Sequence, residues 1–141
     1  MLKSIYNQKV TILNKLRRTD NDNKVDAWYK STVNDVAWYT KSARSAGGSS
    51  VYIGTYVTVL IPFHEEYVKY SEWKDLDDKE NYYTVSNGDY IILGEIEETD
   101  ITANNIIAIT QKYGENVCQV KHHNESYDRF GAKIQLKVEG V

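Results

Sequence analysis

The chain is poor in the residues that would make its chemistry easy to name. Cys118 is its only cysteine, which excludes an intrachain disulfide and any metal site built from several thiolates. Pro62 is its only proline, and runs of strong helix formers are few. Together these favour strands over helices. No apolar run approaches the ~20 residues of a membrane span. The longest, residues 56–63, is interrupted by Thr58 and Pro62. A basic surplus is also missing, since the formal net charge is −3. That disfavours an obligate nucleic-acid coat and a polybasic membrane-surface binder. Residues 1–8 contain no signal-peptide apolar region, so synthesis and retention in a cytoplasm are expected.

Aromatic residues are what the chain has in quantity, with twelve tyrosines and three tryptophans. Each joins an apolar body to a polar tip. They suit strands with one wet face and equally suit large protein interfaces. A length of 141 residues fits one domain over 1–141 with one core.

Periodicity places the strands. Ile134, Leu136 and Val138 alternate with Lys133, Gln135 and Lys137, which sets an apolar face inward and a polar face outward. Val10 and Ile12 open a first strand. Two aromatic pieces, 26–30 and 36–40, read as separate strands joined near Asn34 and Asp35. Residues 41–50, Lys-Ser-Ala-Arg-Ser-Ala-Gly-Gly-Ser-Ser, read as a long flexible loop. Residues 51–61 read as a strand with a bulge at Gly54, ended by Pro62. Ser71 is a candidate cap for one helical turn. Asn87-Gly88 is the strongest hairpin signal, joining 82–85 to 90–96. Residues 105–111 and 116–121 are expected to pair as strands, and 122–129 to form a polar loop before the last strand. The whole reads as an all-β barrel or sandwich of about seven to nine short antiparallel strands, with a long flexible loop and a C-terminal hairpin.

Candidate sites are few. Asp20-Asn21-Asp22-Asn23 opens like a calcium loop, but the template requires Gly at its sixth position and Glu at its twelfth. Val25 and Ser31 stand there, so a solvated turn is expected. His122 and His123 are adjacent and would point to opposite faces of a strand; no metal site is expected. The acidic runs 75–80 and 95–100 read as solvated faces rather than a paired-carboxylate cleft. There is no phosphate loop and no nucleophile elbow. Cys118, inside a strand-like segment, reads as a core residue. No catalytic residue and no cofactor is expected. Lys41 and Arg44, with Gly47 and Gly48 in the same stretch, are the one suggestive basic group, a loop able to order against a partner or to face a nucleic-acid backbone. Asn87 and Gly88 are assigned as a structural turn.

One block joins these pieces. Val57-Thr58-Val59-Leu60-Ile61-Pro62-Phe63 is followed by Ser71-Glu72-Trp73, Tyr82-Tyr83-Thr84-Val85 and Asn87-Gly88-Asp89-Tyr90-Ile91-Ile92-Leu93-Gly94. Upstream stand Val10-Thr11-Ile12-Leu13-Asn14, Trp28-Tyr29-Lys30 and Val36-Ala37-Trp38. In this order they resemble the head-closure (stopper) proteins of tailed phages of Gram-positive bacteria. The likeness covers residues 10–109; residues 112–141 follow the pattern loosely.

The resemblance implies a non-enzymatic virion protein, assembled in the host cytoplasm and located at the head–tail neck. It implies a homo-oligomeric ring, commonly of twelve copies, between a portal or adaptor ring above and a tail terminator or tail tube below. The ring closes the channel after packaging, and genomic DNA passes through without specific binding. A mildly acidic chain suits such a conduit, because phosphate neutralisation would make it grip DNA. The alternatives are another neck or tail ring, an adaptor or a tail terminator, and a small β-barrel nucleic-acid-binding module, which would need a basic groove.

Overall fold

The computed structural model describes residues 5–47 and 50–141. Six strands are present among them: β1 (Gln8–Leu16), β2 (Ala27–Gly47), β3 (Ser50–Pro62), β4 (Tyr90–Leu93), β5 (Val117–Tyr127) and β6 (Lys133–Gly140). They close into an antiparallel barrel in the order β1-β2-β3-β6-β5-β4, with β4 returning to β1. Two short helices, α1 (Tyr70–Trp73) and α2 (Ile106–Tyr113), lie in the connections.

The barrel fills with the inward residues of every strand. Val10, Ile12, Val36, Val59, Ile61, Ile91, Val120 and Val138 are buried together, with Tyr67, Tyr83 and Cys118 among them. β-Branched side chains dominate, as they pack well on a pleated surface. A second apolar cluster lies outside the barrel wall. There Leu13 and Ile92 meet Ile96, Ile101, Ile106 and Ile109. Strand β1 is therefore buried on both faces over Val10–Asn14. Its polar Thr11 is satisfied by donating to the carbonyl of Gly94 at 2.8 Å.

Six strands replace the expected seven to nine, for three physical reasons. The two aromatic pieces around Asn34 and Asp35 are one strand. The β1–β2 register slips between Gln8↔Val36 and Val10↔Val33, so β2 carries one extra residue and bulges. Asp35 sits there at φ 60°, a conformation its short polar side chain tolerates. Residues 105–111 are helix rather than strand, because Ile106 and Ile109, three apart, both bury against the outer cluster. Residues 82–85 lie off the ladders; their one bridge, Tyr67↔Tyr83, joins them to the connection between β3 and α1.

Other expectations also shift. Pro62 does close β3, whose last pair is Pro62↔Gln135. Gly54 makes no bulge, since the β2–β3 register runs unbroken through Ala43↔Gly54. Ser71 is not the cap of α1; Lys69 takes that place without a side-chain hydrogen bond. The expected polar loop at 122–129 is strand up to Tyr127. Leu136 and Val138 face inward as their period requires, whereas Ile134 is 51 % exposed. It lies beyond the Pro62↔Gln135 pair, where β3 no longer covers β6.

Candidate functional site

The expected loop at 41–50 is for the most part a strand pair. β2 continues through Lys41 and Arg44 to Gly47, and β3 starts at Ser50, with pairs from Lys41↔Tyr56 to Gly47↔Ser50. Gly48 lies outside the described residues. The sequence suggested a loop because Gly and Ser are poor strand formers; mutual pairing of two strands overrides that preference. The ribbon extends past the barrel wall, since β6 pairs β3 only from Val57 onward and β1 pairs β2 only up to Val36. Seven residues at about 3.3 Å each make an arm about 23 Å long. Lys41, Arg44 and Gly47 are all carried on it.

Asn87 and Gly88 form a turn closed by Asp89 N–H donating to the Ser86 carbonyl at 3.1 Å. Gly88 alone takes positive φ, at 97°. The turn does not join two paired strands. It hands the chain to β4 and is held from the side, with Gly88 N–H donating to the Val120 carbonyl at 2.9 Å.

The carboxylate following that turn was not singled out by sequence. Asp89 is 1 % exposed and accepts from the Lys15 backbone N–H at 3.0 Å, the Asn14 amide at 2.9 Å and the Ser86 N–H at 2.9 Å. Asn14, also buried, donates in addition to the Thr84 carbonyl at 2.5 Å and accepts from Thr84 N–H at 3.2 Å. Burial pushes the Asp89 carboxyl up to about 6, against the three donors that lower it. This pair ties β1 to residues 84–89. A Gly-Asp after an Asn is an ordinary turn composition, so the sequence gives no sign that the Asp is buried.

The chemically reactive groups are otherwise quiet. Cys118 is fully buried, and burial pushes its thiol up to about 11, away from the thiolate a nucleophile needs. His122 and His123 pair with Glu139 and Val138 on β6. His64 Nδ1 lies 2.9 Å from the Tyr83 hydroxyl. Among the described residues, no three His, Cys, Asp or Glu side chains are placed to hold a metal ion. Asp20 accepts from the Tyr70 hydroxyl at 2.7 Å and pairs with Lys74 at 3.7 Å; this segment is a turn built on the protein's own partners.

The barrel wall also splits. β4 pairs β5 only at residues 117–119, with Val120 N–H donating to the Asp89 carbonyl just beyond. Past that point a cleft of about 550 Å³ opens between β5 and the α1 side, lined by Arg17, Lys69, Tyr70, His123 and Glu125 among others.

Comparison with known proteins places this architecture. The chain belongs to a family of unknown function, DUF6751. The family model matches residues 5–141, taking in the barrel, the arm and the C-terminal hairpin alike. No curated protein and no solved structure matches the chain.

Proposed function

We propose that this chain is a ring-forming structural protein of the tailed-phage neck, a head-closure subunit that links portal or adaptor to tail and blocks the DNA channel. The observation that carries the reading is the arm. A small closed barrel supports a two-stranded ribbon, Lys41–Gly47 with Ser50–Tyr56, whose strands pair with each other and leave the barrel wall. Such a ribbon is stiffer than a Gly/Ser loop and reaches a ring lumen or a neighbouring ring. The motif order along residues 10–109 supports the same reading, and so does a net charge of −3, which suits a channel that DNA must slide through.

The test is immunogold labelling of purified tailed-phage particles with antibody raised against the recombinant chain. Gold at the junction of capsid and tail is the expected result. Particles without label, with the protein confined to host lysate, would overturn the reading.

A further inference from the structure

We infer that the cleft beside β5 is a docking groove for an extended acidic peptide segment of a partner protein, which adds as a strand to the free edge of β5. This goes beyond the neck reading and does not depend on it, because the groove shares no residue with the arm.

Three observations converge. The first is a vacant ladder. β5 runs to Tyr127 and is paired along β6 by Val120↔Gly140 through Tyr127↔Lys133. On its other side β4 stops at the Tyr90↔Gln119 pair. Among the described residues, no backbone hydrogen bond reaches 121–127 from that side. Unpaired edge N–H and C=O groups are a template for another chain. The second is that the edge faces a cleft rather than open solvent, with Tyr70 and Lys69 opposite His123 and Asn124.

The third is charge. Arg17 lies with its guanidinium over the Tyr70 ring, 4.5 Å from the centroid. Among the described residues, neither Arg17 nor Lys69 has a carboxylate within ion-pair distance. Glu125, the carboxylate of the cleft, already accepts from the Tyr67 hydroxyl at 2.9 Å and from the Tyr127 hydroxyl. Two exposed cations therefore stand without a contact ion pair beside a strand edge, facing a single cleft carboxylate, Glu125, which Lys69 favours only from a distance. An extended segment with acidic side chains satisfies the edge through its backbone and the cations through its carboxylates.

The experiment titrates the whole protein, labelled with ¹⁵N, with hexaglutamate, with an N-methylated hexaglutamate, with hexaserine and with oligothymidylate. Shifts at the amides of 121–127 on adding hexaglutamate are expected, weakening with salt. Hexaserine and the N-methylated peptide, which lack the charges and the ladder donors respectively, should each bind at least about ten-fold more weakly. The Arg17→Gln/Lys69→Gln double variant should lose about ten-fold in affinity with an unchanged melting temperature. Because the methylated peptide tests the backbone pairing without altering the protein, a poorly folded variant leaves the inference testable. Absence of shifts at millimolar peptide overturns it, as does equal binding of the methylated peptide. Tighter binding of oligothymidylate at the same amides would replace the peptide with a nucleic-acid backbone and equally overturn it.

Discussion

Single residues hold this barrel where strands meet imperfectly, and Asp89 is the clearest. Its native carboxyl is raised to about 6 from an ordinary 3.8, so between these values the folded state binds more protons than the unfolded. By linkage, its contribution to stability is greatest at low pH and is lost as pH rises from about 4 to about 6, a change of about 3 kcal/mol. Asp89→Asn should remove that slope. It should also destabilise at neutral pH by about 1–3 kcal/mol, because one oxygen facing the donors of Lys15, Asn14 and Ser86 becomes an NH₂. Urea unfolding of both proteins from pH 4 to pH 7 checks it, and parallel curves would refute the role. Gly140 matters for a different reason. A Cβ there would fall on the Gln119 carbonyl oxygen and 2.6 Å from Cys118 Sγ, beside the irregular step in β5 between Val120 and His122. Both obstacles belong to buried or backbone atoms that cannot swing away. Gly140→Ala should cost about 3 kcal/mol, read as a lower urea midpoint with an unchanged slope.

Among the elements, α2 shows how far the sequence could be read. Its Ile109 seals the outer cluster over β1 and β4, so Ile109→Ala should destabilise by about 2–5 kcal/mol. The exposed neighbour Ile107 should tolerate Ala within about 0.5 kcal/mol, and calorimetry of the pair separates the two. Residues 105–111 were nevertheless readable as a strand, because a short run of isoleucines fits either period. Only the outward face of β1, with Leu13 buried there, decides for helix. Where one face alone is buried, the period of two was legible at Leu136 and Val138 but failed at Ile134, which lies past the end of β3. The bulge at Asp35 was not: Asn34-Asp35 signals a turn and a break in the chain, and a closed barrel uses the same chemistry to bend one strand. The arm was hidden similarly, since the Gly- and Ser-rich composition of residues 41–50 suits a loop. Of the proposed sites, the turn at Gly88 was visible by composition. Asp89 and the β5 cleft were not, because burial of one carboxylate and absence of a strand partner are tertiary facts.

At the scale of the whole molecule the two projecting features are polar in arrangement. The arm leaves the β3–β6 ladder at its Val57↔Gly140 end, while the β5–β6 hairpin tip, Tyr127↔Lys133, lies towards the other end. A subunit with unlike surfaces at its two ends suits head-to-tail contacts, which close into rings when the rotation permits. If the chain forms the proposed ring, native mass spectrometry of the purified protein should give a closed multiple of 16.3 kDa. The arm can be tested apart from the barrel. Its strands pair with each other beyond the Thr40↔Val57 pair, so residues 41–56 can be replaced by Asn-Gly, a two-residue turn that antiparallel strands accept. The shortened chain should keep the barrel's melting temperature, because Val57, Val59 and Ile61 retain their places in the core. On the proposed neck role, phage particles assembled with it should lose packaged DNA or fail to join tails. Infectious particles at normal titre would remove the arm from any role in closure. A collapse of the melting temperature would show instead that the ribbon is part of the fold, and the arm would then lose its standing as the observation behind the proposed neck role.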